Sequence, residues 1–121
     1  MNEDAVDLIV VDDVEDAATT LTLMLELDGY RVRTAFSGAE ALSMIAAHKP
    51  HGLLFDIDMP GIDGFELANQ VRAEHGDDIV LIAVTARQRQ DPRVAGAFQV
   101  ADHYLSKPLD HQRLRKLLRP L

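Results

Sequence analysis

The chain has 121 residues, 47% hydrophobic and 26% charged, with 12 basic against 20 acidic side chains and a formal net charge of −8. That size supports a real core, and the acidic balance argues against a dedicated nucleic-acid binder, which needs a basic face. The absence of cysteine excludes a disulfide scaffold. No apolar stretch approaches the ~20 residues that span a bilayer, and Met1-Asn2-Glu3-Asp4 lacks the features of a signal peptide, so no membrane association and a cytoplasmic location are expected.

Leu8-Ile9-Val10-Val11 is a continuous apolar run, as expected of a central strand covered on both faces. Ala17, Ala18, Leu21, Met24 and Leu25 then recur at helical steps, with Glu15 and Asp16 suiting the positive end of the dipole and Asp28-Gly29 as a stop. Tyr30 to Thr34 alternates apolar and basic residues and predicts a half-exposed edge strand. Ser37 caps a helix with Ala41, Leu42, Ile45 and Ala46 on one side, ended by Lys49-Pro50. Gly52-Leu53-Leu54-Phe55 is a buried run leading into Asp56, and Asp63 closes a turn-rich segment by capping a helix with Phe65, Ala68 and Val71 inward. Ile79 to Val84 forms a fourth strand ending at Thr85. A fourth helix starts at Asp91-Pro92 and is weakened by Gly96, which costs about 1 kcal/mol relative to Ala. His103-Tyr104-Leu105 is a short last strand, and Asp110 caps a closing helix with Leu114, Leu117 and Leu118 inward. The strand–helix alternation favours an α/β fold with a parallel sheet. With no repeat, low-complexity tract or linker, residues 1–121 are expected to form one domain.

In such sheets, sites lie beyond the carboxyl ends of the strands. Asp12-Asp13, Asp56 with Asp58, Thr85 and Lys107 each follow a strand, so one edge of the sheet would gather several carboxylates, a hydroxyl and an ammonium. Oxygen ligands suit Mg²⁺, which keeps several waters, and crowded carboxylates make cation binding favourable. Asp56 is the best nucleophile candidate, because a buried strand fixes its backbone. Its attack on a phosphoryl donor would give an aspartyl phosphate. The incoming charge of about −2 would be matched by Mg²⁺ and Lys107, with one hydrogen bond from Thr85.

Val10-Val11-Asp12-Asp13, Leu54 through Gly64, Val84-Thr85-Ala86 and Tyr104-Leu105-Ser106-Lys107-Pro108 together resemble receiver domains of two-component response regulators, in order and spacing, over nearly the whole chain. The resemblance implies a flavodoxin-like, doubly wound five-stranded sheet of order 2-1-3-4-5 with five helices. It implies Asp56 as phosphoacceptor, served by a phosphohistidine on a sensor histidine kinase or a histidine phosphotransfer protein. Asp13, Asp56 and the backbone carbonyl of Asp58 would ligate Mg²⁺, with Asp12 acting mainly through a bridging water. Thr85 and Lys107 would bind phosphoryl oxygens, and Tyr104 would be the aromatic switch, turning inward as Thr85 moves. The Lys107–Pro108 bond is expected to be cis. The output would be a surface read by a downstream protein, with a phosphorylation-dependent dimer among the forms open to it. This is a signalling module rather than an enzyme, beyond self-phosphorylation from small donors and self-dephosphorylation.

The sequence departs from that pattern at Asp58, where many receivers are not acidic, at Arg87, two residues after Thr85, and at Gln99-Val100-Ala101, which lacks a customary glycine. The first two leave the acyl-phosphate lifetime open, and the third predicts altered geometry at the end of the fourth helix. Phe55-Asp56-Ile57-Asp58 is also similar to the nucleophile motif of haloacid-dehalogenase-type phosphatases, but there the nucleophile comes first and the acidic pair last, the reverse of this order. Taken singly, Asp63 is a cap, Tyr104 an edge-strand aromatic, and Arg113, Arg115, Lys116 and Arg119 a solvated helix end. A stand-alone regulator and a piece of a longer protein such as a hybrid sensor kinase are both open, with a lean to the latter because Asp13 through Ala17 and His103 through Asp110 are similar to hybrid-kinase receivers.

Overall fold

The run Leu8–Val11 lies in the first strand, β1 (Asp7–Val11), which is paired along both edges and buried in the apolar layers on its two faces. The computed structural model describes residues 5–86 and 99–121. The other strands are β2 (Arg31–Ala35), β3 (Gly52–Phe55), β4 (Val80–Thr85) and β5 (His103–Ser106). Every pairing is parallel, in the order β2-β1-β3-β4-β5. The described residues contain four helices: α1 (Glu15–Leu27), α2 (Gly38–Ala47), α3 (Gly64–His75) and α4 (His111–Leu118). The start of the further helix expected from Asp91-Pro92, with Gly96, lies outside the described residues, as do Arg87, Arg89 and Arg93, whereas Gln99 and Val100 are described and helical. No helix among the described residues is long and apolar enough to cross a membrane.

Strand side chains alternate between two apolar layers, as the period of two requires. Ile9, Val11, Leu53, Phe55, Leu81 and Ala83 face α2 and α3 through Ala41, Ile45, Leu67, Ala68 and Val71. Leu8, Val10, Leu54, Ile82, Val84 and Leu105 face α1 and α4 through Ala18, Leu21, Leu25, Leu114 and Leu118. With helices on both faces the sheet is doubly wound, and the strand order reverses between β1 and β3. That crevice is where ligands bind in open α/β folds.

The expected caps are present. Ser37 Oγ accepts from the Glu40 amide at 3.1 Å, Asp63 Oδ1 from Glu66 at 2.8 Å, and Asp110 Oδ1 from Gln112 at 3.0 Å. Three expectations need correction. Phe65 is 36% exposed, because the buried stripe of α3 runs through Gly64, Leu67, Ala68 and Val71 and Phe65 sits one step around the helix from it. Ala46 is likewise one step past buried Ile45 and is exposed. In β2, Arg33 does not simply face solvent: its guanidinium donates to the carbonyls of Met44 (2.8 Å) and His48 (2.6 Å) and so closes the end of α2.

Candidate functional site

Parallel pairing brings the carboxyl ends of all five strands to one edge. Two of the acidic residues are held there by the neighbouring strand. The Asp12 amide donates to the Ala35 carbonyl at the end of β2 (3.2 Å), and the Asp56 amide donates to the Val11 carbonyl at the end of β1 (3.0 Å). The backbone beneath each carboxylate is therefore part of the sheet's hydrogen-bond ladder, although each residue follows its strand.

Asp12, Asp13 and Asp56 each bring a carboxylate oxygen within 4.8 Å of the others, the one such acidic group among the described residues. Asp12 is 6% exposed and Asp56 9%, whereas Asp13 faces solvent. Lys107 Nζ lies 2.8 Å from Asp12 Oδ2 and 3.5 Å from Asp56 Oδ2, bridging the first and third strand ends from the far side of the chain. A cavity of about 30 Å³, lined by Asp12, Asp56, Lys107, Val84 and Leu109 among others, lies beneath these groups.

The electrostatics follow from burial and an excess of negative charge. Burial pushes the Asp56 carboxyl above its ordinary value, and the charge of Asp12 adds to this, while Lys107 and the amides of Asp58 and Ile57 oppose it. Burial alone would lower the Lys107 ammonium, but its hydrogen bond to Asp12 and the charge of Asp56 raise it overall. The ammonium thus stays charged beside the carboxylates. Asp12 has little to spare: Oδ2 takes Lys107 and Oδ1 accepts the Val14 amide at 3.0 Å. That second bond covers an amide at the entrance of α1, whose N-cap, Val14, has no side-chain acceptor.

The other expected residues sit around this group. The Asp58 amide approaches Asp56 Oδ1 at 3.4 Å, while the Asp58 carboxylate lies outside the three-acid group. Thr85 is 0% exposed at the end of β4, and its carbonyl accepts the Lys107 amide at 2.9 Å, so the hydroxyl-bearing and ammonium-bearing loops are joined through backbone. Tyr104 is half-buried on β5 beside Ala83, packed against the α2–α3 layer two residues before Ser106, the register partner of Thr85. The Lys107–Pro108 bond is cis.

A family model described as the response regulator receiver domain matches residues 8–119. The chain belongs to the response regulator receiver family. Among curated relatives, the response regulator MprA of Mycobacterium bovis is 40% identical over 117 residues, covering 97% of this chain and 50% of MprA. This receiver thus spans about half the length of the curated relatives it matches. A putative response regulator from Chloroflexus aurantiacus superposes with a TM-score of 0.86 at 35% identity, covering 96% of each chain. TrrA of Thermotoga maritima, solved in complex with Mg²⁺ and BeF, gives 0.81 at 30% identity, covering 94% of this receiver and 96% of TrrA.

Two features of the receiver were not legible beforehand. Asp28, read as a helix stop, is 8% exposed in its side chain and accepts from His111 Nε2 (2.7 Å) and from Arg115 Nε (3.1 Å) and a terminal nitrogen of Arg115 (2.9 Å). Gly64, which follows the capping Asp63, is the first residue of α3 and lies against the backbone of Asp56. Nothing in a one-dimensional pattern marks a shared carboxylate across 83 residues or the lack of room for a methyl group.

Proposed function

We propose that residues 1–121 act as one receiver domain in which Asp56 accepts a phosphoryl group from a phosphohistidine on a sensor histidine kinase or histidine phosphotransfer protein. The observation that supports this best is the cluster itself: a buried strand-end carboxylate, two further acids and a lysine ammonium on one edge of a receiver fold. In the transfer, the N–P bond of the donor breaks as an O–P bond forms at an Asp56 carboxylate oxygen, and the imidazole leaves. Catalysis is positioning plus charge neutralisation.

Hard oxygen donors of this kind fit Mg²⁺. Asp13 is solvent-facing and Asp56 is directed into the cluster, whereas both oxygens of Asp12 are already engaged by protein. Asp13, Asp56 and the Asp58 carbonyl would therefore hold the ion directly and Asp12 through water. Bound there, Mg²⁺ would neutralise charge on the transferring oxygens.

The modified Asp56 carries a charge of about −1.5 to −2. Lys107, now shared unequally between Asp12 and Asp56, is drawn to the new anion, and the Thr85 hydroxyl donates to a second phosphoryl oxygen. Since the Thr85 carbonyl grips the Lys107 amide, the two loops move as a pair. Tyr104 then turns further into the α2–α3 layer, altering the β5 surface that a downstream protein, or a second copy of the chain, reads. The chain works in the cytoplasm as a signalling module, without direct nucleic-acid contact through this domain. The acyl phosphate is lost by self-dephosphorylation rather than by steady turnover of phosphate esters.

Intact mass after incubation with acetyl phosphate and Mg²⁺ tests the reading. One phosphoryl adduct is expected on the wild type, and none in chelator or in Asp56→Ala. Stoichiometric labelling of Asp56→Ala would overturn the assignment.

A further inference from the structure

On the reading that Asp56 carries the phosphoryl group, we propose that Gly64 is a positioning residue for it: the missing side chain of Gly64 sets the path of the loop that aims Asp56 and Asp58. Gly64 opens α3, yet a Cβ built there would run into the Asp56 carbonyl oxygen and lie 2.7 Å from Ile57 Cα and 3.0 Å from the Asp56 carbonyl carbon. Real Cβ atoms essentially never approach backbone that closely, and backbone at the end of β3, tied to β1 through the Asp56 amide, cannot swing aside as a flexible side chain can. The Gly64 φ is not positive, unlike those of Gly29, Gly61 and Gly76, so the need is for space and not for a left-handed conformation. Helix propensity and chain entropy both favour alanine over glycine in a helix. Helix formation therefore does not explain the glycine; the close approach does.

The approach has a definite purpose in the geometry. The Gly64 amide donates to the Ile57 carbonyl at 2.9 Å, locking the start of α3 to the residue between Asp56 and Asp58. Ile57 and Met59 are buried in the α2–α3 layer, so the loop is also held by its side chains. A second glycine grips its far end. A Cβ at Gly38, the first residue of α2, would sit 2.9 Å from the Ile62 carbonyl oxygen and 3.0 Å from Ile62 Cβ and Cγ2. Two helix starts thus close on the segment between Asp56 and Asp63, each at a position without a side chain. A methyl group at 64 forces the Asp56–Ile57 peptide away from α3, rotating the Asp56 carboxylate away from Lys107 and displacing the Asp58 amide that approaches it.

The test compares full-length wild type with Gly64→Ala, Gly38→Ala and, as a control, Gly76→Ala. Gly76 has φ +56° at the end of α3 with open space around it, so its substitution strains the fold without touching the loop. Three readouts are taken: the initial rate of acetyl phosphate labelling at saturating Mg²⁺, thermal stability, and the amide ¹H–¹⁵N shifts of Ile57 and Asp58 without metal or donor. Gly64→Ala is expected to label at least about tenfold more slowly, with both amides displaced, whereas Gly76→Ala loses stability yet labels within about twofold of wild type. Labelling of a folded Gly64→Ala within about twofold of wild type, with the two amides unmoved, overturns the proposal. Should Gly64→Ala fail to fold, Gly38→Ala decides. Its looser contact predicts a roughly threefold slower rate with the Asp58 amide shifted, and wild-type values for both are evidence against loop positioning. Absence of labelling in the wild type would instead sink the phosphoacceptor reading, and the metal-free amide shifts would still show whether residue 64 sets the loop.

Discussion

Two carboxylate–cation clusters join distant parts of this chain, and they are built on opposite charge balances. At the strand ends, Asp12 and Asp56 share one lysine, with the carboxylate of Asp13 beside them. Between α1 and α4, Asp28 alone is shared by His111 and Arg115. The consequences diverge accordingly. Burial and a like charge raise the Asp56 carboxyl, whereas hydrogen bonds from Arg115 and then His111 lower that of Asp28. The first cluster is short of positive charge and gains from a cation or from neutralisation; the second is complete and ties two helices. Acidity alone does not distinguish a site from a strut, but the ratio of acids to bases around it does.

The largest effect expected from this contrast is with Mg²⁺. At about 100 times its Kd the ion should raise unfolding free energy by about 2.7 kcal/mol, measured by thermal melts and reversed by chelator. Asp13→Asn should weaken that response and Asp28→Asn should leave it intact. Next is Lys107→Ala in metal-free protein. Removing the ammonium leaves Asp12 and Asp56 facing each other unpaired. A buried pair broken in this way costs several kcal/mol, discounted here to about 2 kcal/mol because Lys107 is part-exposed. Added Mg²⁺ should recover more stability in this variant than in wild type, while labelling no longer alters the β5 surface.

Asp56→Asn should act in the opposite sense, raising the metal-free melting temperature at neutral pH by roughly 3 °C. The folded pKa of Asp56 lies above its unfolded value, so its contribution is fully present below the ordinary carboxylate range and is lost as pH rises through the folded pKa. The advantage of Asn should therefore vanish in acid and appear on going to neutral pH. Asp28→Asn should give the smallest effect, because Arg115 is largely exposed and His111 partly so. Its sign reverses that of Asp56. A depressed folded pKa stabilises above the unfolded value and the benefit is lost as pH falls through the folded pKa, so the variant is weaker at neutral pH and equal to wild type in strong acid. An equal response of Asp28→Asn and Asp56→Asn across pH would erase the distinction between the clusters.

Much of this was readable in one dimension because the strands carry it. The apolar runs at Leu8–Val11, Leu53–Phe55 and Leu81–Val84 are buried on both faces, and residues that follow such runs in a parallel sheet must share an edge. That places Asp12, Asp56, Thr85 and Lys107 without knowledge of any contact. The caps at Ser37, Asp63 and Asp110 were legible for a similar reason, since each acts within three residues of itself. What failed depended on rotation about a helix or on partners far apart. Phe65 and Ala46 sit one step off the buried stripe, and Arg33 and Arg115 find acceptors that lie on other elements. The space denied to residue 64 belongs to the same class, as it exists only once α3 has docked.

The bond between Lys107 and Asp12 joins residues 95 positions apart. Closing so long a loop costs entropy, and Lys107 directly follows the last strand, so the ammonium is placed by the docking of β5. A chain still emerging from the ribosome, or one clipped before its last strand, would carry Asp12 and Asp56 without the ammonium that bridges them. On the proposed reading, transmission would then be restricted to molecules that have finished folding, since a copy without Lys107 could take a phosphoryl group and pass nothing on.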